Sequence, residues 1–329
     1  MRTRAAFAHQ EGGGDLAFTL RNNLGLLLLL LGLASPLLVD PARAASRTPE
    51  PRQSLRVDGV ERSYVVRAAH LPKPWMQRVP LVLVLHGGGG NAANAETMTG
   101  FSEKARQEGF IVAYPEGSSR FAGKLLTWNA GHCCGYAMNR HVDDVAFIRA
   151  LIEHLIETYP VDPQRVYVTG MSNGGMMSHR LGIELAPQLA AIAPVVATLF
   201  GDEPQPRGPL PTLMINGLLD KAVPHLGGPP GGRVSDAWDG TPTKPALAQA
   251  EFWAKANGCA GTPSQQDNGD YLLWRYTCAP DAAVMLYLIK DNGHAWPGGQ
   301  PGSRRGDTPS TALNATDVIW RFFQAQAKR

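Results

Sequence analysis

The chain has 329 residues, 44% hydrophobic and 18% charged, a composition that builds a buried core and excludes a disordered chain. Its 31 Lys and Arg nearly balance 28 Asp and Glu, for a formal net charge of +3. No basic stripe is present, which excludes a dedicated nucleic-acid binder. The length fits one large α/β domain or two small ones.

The first 44 residues read as a cleaved signal peptide. Residues 24–39 are almost wholly apolar, Arg2, Arg4 and Arg21 precede them, and Ala42-Arg43-Ala44 supplies a small-x-small cleavage pattern. Pro36 breaks the apolar run, which at about 16 residues is short for a membrane span. The expectation is a secreted or periplasmic protein with no membrane attachment after cleavage. Residues 45–53 read as a short tail, and 54–329 as a single domain.

Export makes disulfides the natural state of the four cysteines. Cys259 and Cys278 are the obvious pair, closing a loop that holds the turn Asn268-Gly269-Asp270. Loop entropy assigns such a link about 3 kcal/mol. Adjacent Cys133 and Cys134 form either a vicinal disulfide or two thiols, and spacing does not choose among the three pairings.

A hairpin is predicted over 54–68, turning at Asp58-Gly59. The continuous apolar run 80–85 reads as a strand buried on both faces, and it runs into His86 and glycines 87–90. A helix is predicted over 91–109, a strand over 110–114 and a long loop over 116–140. Another helix covers 142–159, with Val145, Ile148, Leu151, Ile152 and Leu155 at helical spacing. Strand 166–168 leads through a tight turn to a helix over 176–185. Further strands are predicted at 189–196 and 211–215, then a Gly- and Pro-rich loop at 226–244 and a helix at 246–257. Strands at 271–277 and 284–289 and a helix at 311–327 follow. Strands alternating with helices imply a mostly parallel sheet covered on both faces, with an N-terminal hairpin.

In such sheets chemistry sits beyond the carboxyl ends of the strands. The polar residues there are His86 with its glycines, Ser172, Asp220 and His294. Gly170-Met171-Ser172-Asn173-Gly174 spells G-x-S-x-G between a strand and a helix, the setting of a nucleophile elbow. The order Ser172, Asp220, His294 is that of an α/β-hydrolase triad, and each residue follows a strand. Ser172 is the expected nucleophile, His294 its base and Asp220 the carboxylate that orients the base. Activity is expected to rise with pH as His294 loses its proton. Asp202, Asp236 and Asp291 compete with Asp220 but lack its placement, and His225 competes with His294 from before the last strands. Asp143 and Asp144 open a helix and read as capping and packing. Glycines after a strand free backbone N–H groups to face an oxyanion. The expected donors are the N–H groups of Asn173 and Gly88, with Gly89 the second choice. A phosphate-binding reading fails, because no G-x-x-x-x-G-K-[ST] is present. His132, Cys133, Cys134, His141 and Asp143 match no zinc spacing, so no metal or other cofactor is expected. Trp128, Trp296 and Phe200 are candidate walls of a substrate pocket, and oligomeric state is not legible.

With these residues in hand the chain resembles secreted esterases of the polyhydroxybutyrate depolymerase family, related to the feruloyl and acetylxylan esterases of carbohydrate esterase family 1. The resemblance rests on the segments 83–90, 128–135, 142–147, 170–175, 216–224 and 293–298, which span nearly the whole chain after the leader. It implies an α/β-hydrolase fold and hydrolysis of carboxylic esters. Two departures stand out. The family often has His where this chain has Asn216. Polymer-degrading members often carry an added substrate-binding domain with no counterpart here, which shifts the expected substrate to soluble hydroxyalkanoate oligomers or short polyester-type esters. Feruloyl or acetylated cell-wall esters are the alternative, and a hydrolase-like binding protein without catalysis is the alternative of another class.

Overall fold

Apolar runs with no alternation build the middle of a ten-stranded sheet, because strands buried on both faces carry core residues at every position. In chain order the strands are β1 Gln53–Val57, β2 Val60–Arg67, β3 Val79–Leu85, β4 Ile111–Pro115, β5 Val161–Met171, β6 Ala191–Val195, β7 Thr212–Gly217, β8 Ala260–Asp267, β9 Tyr271–Thr277 and β10 Val284–Ile289. Across the sheet the order is β1-β2-β4-β3-β5-β6-β7-β10-β9-β8. From β4 to β10 every neighbouring pair is parallel. The pairs made by β1, β2, β9 and β8 at the two edges are antiparallel. This computed structural model describes residues 51–68, 77–121, 123–231 and 237–328, all within the unit Pro49–Arg329. The expected leader, 1–44, lies outside the described residues.

Seven helices are described: α1 Ala92–Thr99, α2 Phe101–Glu108, α3 Gly135–Asn139, α4 Asp144–Thr158, α5 Asn173–Glu184, α6 Ala246–Ala256 and α7 Ala315–Gln324. One face of the sheet is covered through Val145, Ile148, Met177, Leu181 and Trp253 of α4, α5 and α6. The other is covered through Ala95, Phe101, Ile319 and Phe323 of α1, α2 and α7. The fold class expected from the strand–helix alternation is therefore the one observed. Among the described residues no helix is long and apolar enough to cross a membrane.

Several boundaries differ from expectation for local reasons. The helix expected over 91–109 is two helices, broken at Gly100, whose φ of 68° ends α1 in a left-handed cap. The loop over 116–140 contains α3. Strand β8 was not foreseen, because its sequence is polar and mostly exposed, an edge strand with no core face to pattern. Helix α5 begins at Asn173, three residues before the expected start, and so reaches back to the turn that holds Ser172.

Candidate active site

Ser172 sits where β5 turns directly into α5, with φ of 57° and ψ of −125°. A non-glycine residue in this region is strained and persists only when its surroundings impose it. The surroundings here are glycine contacts. A Cβ on Gly174 would strike the carbonyl oxygens of His86 and Leu85, and one on Gly170 would come within 2.6 Å of the Gly174 carbonyl. The glycines around Ser172 therefore let α5 press its first turn against the end of β3.

The loops after β7 and β10 bring the other two residues. His294 Nε2 lies 2.8 Å from Ser172 Oγ, and His294 Nδ1 lies 2.8 Å from Asp220 Oδ2. The second oxygen of Asp220 accepts hydrogen bonds from the backbone N–H groups of Ala222 and Val223, both at 2.8 Å. The carboxylate is thus buried and fully engaged, while the imidazole keeps about a fifth of its surface open. The arrangement can carry a proton from Oγ to Nε2 and hold the resulting imidazolium against a fixed carboxylate. The His294 backbone N–H donates to Asp307 Oδ2 at 2.7 Å. Asp307 was not anticipated: it lies in a loop of Gly, Ser and Arg with no periodicity to mark it. The rivals point elsewhere. Asp202 binds His132, Asp291 accepts from Ser310, and Asp236 lies outside the described residues.

The anion site is shaped by what surrounds glycines 87–90. The Gly89 N–H donates to Leu126 O at 2.8 Å, so it is already spent, and the second-choice donor is corrected. Among the described residues no group accepts from the N–H of Gly88 or of Asn173. Asn173 is the first residue of α5, where backbone N–H groups lack helical partners. Beneath the loop, burial pushes the His86 pKa down to about 4, which keeps the ring neutral. Its Nδ1 lies 2.8 Å from Gly87 O, and its Nε2 accepts from the Gly117 N–H at 3.0 Å. His86 therefore holds the glycine loop and does not reach the reacting atoms.

Among the described residues, Trp128 and Trp296 do not line the open space at Ser172. Both are buried, at 0% and 1% exposure. The indole N–H of Trp128 donates to His86 O, and its backbone exchanges two hydrogen bonds with the Asn173 side chain, at 2.7 and 2.9 Å. Trp296 packs on Phe101 and donates to Thr316. Aromatic residues near a site are core when their polar edges have backbone or side-chain partners, and both do here. Phe200 packs against His132 and Trp238 instead. Next door, Asp143 caps α4 by accepting from the Ala146 N–H. Asp144 is buried, which raises its pKa despite the Arg62 guanidinium at 2.6 Å. Its other oxygen accepts from the Asn129 N–H at 2.7 Å, tying the 126–134 loop to the core. Asn216 donates its amide to Ala197 O. Cys259 is bonded to Cys278, and Cys133 to Cys134. His132 bridges Asp202 and Asp239 at 2.8 and 2.6 Å. Burial lowers its pKa, but the two carboxylates outweigh burial and leave it raised.

Two cavities open at Ser172. One of about 340 Å³ is lined by Gly87 to Gly90, Met171 and Asp307. The other, of about 650 Å³, is lined by Gly88, Asn173, Phe121, Tyr136 and Trp238 among others. Ser172 and His294 line both.

A serine in a strained strand-to-helix turn, with Asp and His delivered after later strands of a mostly parallel sheet, defines an α/β-hydrolase. A solved acetyl xylan esterase from Aspergillus awamori shares this fold, with a TM-score of 0.57 over 84% of this chain and 99% of its own, at 14% identity. The family described as "Esterase PHB depolymerase" matches residues 64–206. The chain is 32% identical over 256 residues to "Putative esterase NocK" of Nocardia uniformis subsp. tsuyamanensis, covering 74% of this chain and 73% of that one. It belongs to this esterase family. It is also 34% identical over 230 residues to "Feruloyl esterase B" of Piromyces equi, covering 68% of this chain but only 41% of the relative's length. "Poly(3-hydroxyalkanoate) depolymerase C" of Paucimonas lemoignei is 29% identical over 128 residues, 38% of this chain and 30% of its own.

Proposed function

We propose that the chain is an exported serine esterase whose residues 1–44 are a cleaved signal and whose residues 54–329 are the catalytic domain. Ser172 Oγ attacks the ester carbonyl as its proton passes to His294 Nε2. Asp220 holds the Nδ1–H tautomer and stabilises the imidazolium. The N–H groups of Asn173 and Gly88 receive the oxyanion. His294 then gives the proton to the departing alkoxide, so the alcohol leaves and an acyl-Ser172 ester remains. Water, deprotonated by His294, attacks that ester and releases the acid with Ser172 restored. The observation that carries this reading is the pair of 2.8 Å contacts through His294 to a serine held at φ of 57°.

Hydroxyalkanoate oligomers or short polyester-type esters are the first substrate class. Feruloyl or acetylxylan esters are the second, favoured by the similarity to a feruloyl esterase. Hydrolysis of p-nitrophenyl esters of graded chain length, hydroxybutyrate oligomers and methyl ferulate ranks the two. Ser172→Ala should lower turnover by on the order of 10⁴ to 10⁶-fold and abolish labelling by a fluorophosphonate probe. Near-normal ester hydrolysis by that variant rules the mechanism out, and absence of labelling in the parent protein points to a binding protein.

A further inference from the structure

The larger cavity at Ser172 is electrically one-sided. Arg120 and Arg140 line it, and no carboxylate does among its described residues. The two guanidinium groups sit over aromatic rings, Arg120 at 4.7 Å from the Phe121 centroid and Arg140 at 5.9 Å from that of Tyr136. No described acidic side chain pairs with either. Arginines nearby are matched: Arg52 to Glu116 at 3.0 Å, Arg62 to Asp144 at 2.6 Å and Arg180 to Glu184 at 2.7 Å. Two exposed cations lining one cleft, with no acidic partner among the described residues, focus a field that attracts an anion. Stacking on rings also holds a guanidinium in place while leaving its N–H fork free for a carboxylate.

The same cavity, which Ser172 also lines, presents apolar surface. Phe121 is 45% exposed and Leu125 60% exposed, so large apolar side chains face the open space of the cleft. Trp238 forms part of the same lining. The smaller cavity at Ser172 carries Asp307 and, among its described residues, neither Lys nor Arg. An anionic group is therefore disfavoured there and favoured in the larger cavity.

We infer that Arg120 and Arg140 are specificity residues that select esters bearing a second, ionised carboxylate beyond an apolar spacer. This rests on the esterase reading above and deepens it. The scissile carbonyl lies at Ser172, the spacer lies on Phe121 and Leu125, and the free carboxylate meets the two guanidinium groups. An oligomer ending in a free acid meets this requirement, and so does an aromatic acid esterified to a hydroxy acid.

The test compares each free acid with its own methyl ester. One pair is the 3-hydroxybutyrate dimer and its methyl ester; the other is feruloyl glycolate and feruloyl methyl glycolate. The free acid should be favoured in kcat/KM, chiefly through KM, by about tenfold for the two partly exposed charges together. The preference should shrink as salt is raised, because exposed charges are screened. In Arg120→Gln/Arg140→Gln the ratio of acid to methyl ester should fall to near one. Both pairs carry the carboxylate on the alcohol side, so whichever shows the larger preference identifies the acyl group as aliphatic or aromatic. Equal kcat/KM for acid and methyl ester in the parent protein overturns the inference while leaving the esterase reading intact. So does a double variant that loses activity on both members of a pair equally. No Ser172-dependent turnover of any of the four compounds or of the p-nitrophenyl esters overturns the esterase reading, and this inference with it.

Discussion

Asp220→Asn isolates what the buried carboxylate does. The two oxygens of Asp220 have different partners: Oδ1 accepts from the N–H groups of Ala222 and Val223, and Oδ2 faces His294 Nδ1. Asparagine has one oxygen and one NH₂ group. If the NH₂ faced Ala222 and Val223, it would set donors against two buried donors, at a cost of about 1–3 kcal/mol for each unsatisfied group. The oxygen therefore stays on the backbone, and the NH₂ turns to His294. Nδ1 must then accept, so the ring proton moves to Nε2, the nitrogen that has to take the Ser172 proton. The same tautomer error in other serine hydrolases lowers kcat on the order of 10⁴-fold, or about 5.5 kcal/mol of transition-state stabilisation. The assay is steady-state hydrolysis of a p-nitrophenyl ester, with a thermal melt to show that the variant is folded. A folded Asp220→Asn within tenfold of the parent kcat refutes the assignment of Asp220.

Gly174→Ala should destabilise the fold by about 1–3 kcal/mol and depress kcat, because its Cβ meets the backbone carbonyls of Leu85 and His86, which no side-chain rotation relieves. Unchanged denaturant midpoint and unchanged kcat would contradict the packing described for the elbow. Stability should also fall from pH 7 to pH 5. Burial lowers His86 to about 4 and His179 to about 3, while the unfolded chain takes up protons near 6.5. Over that window the unfolded state binds more protons, so by pH 5 each ring costs about 2 kcal/mol. Urea midpoints at the two pH values read the effect, His179→Gln should remove part of it, and a flat profile would count against buried neutral rings. His132 has the opposite sign, its raised pKa adding stability at low pH that is lost as pH rises, but it lies at the surface and is screened.

The elements carrying strong periodicity were readable from the residues alone. Central strands β3, β4, β6 and β7 are apolar runs that suit no exposed segment, and α4 has a single apolar face. The three side chains that meet at His294 were readable too, because an elbow needs glycine neighbours and because each residue follows a strand in the expected order. The signals failed where partners are distant in the chain. Trp128 reads as an aromatic beside a catalytic loop; only its hydrogen bonds to His86 and Asn173, 42 and 45 residues away, make it a strut. Gly89 reads like Gly88 until Leu126 takes its N–H. Asp307 carries no local pattern, and it matters through the backbone of His294, 13 residues away.

Local chemistry and order along the chain thus settled the fold class and singled out the side chains proposed to react, since β and α periods, Gly conformations and strand-end placement are properties of short segments. Tertiary contact decided which N–H groups stay free, which aromatics are buried and where two arginines find no counter-charge among the described residues. Those are properties of neighbours in space, and a hydrogen bond or an ion pair is made or withheld only when the folded chain brings, or fails to bring, its second partner.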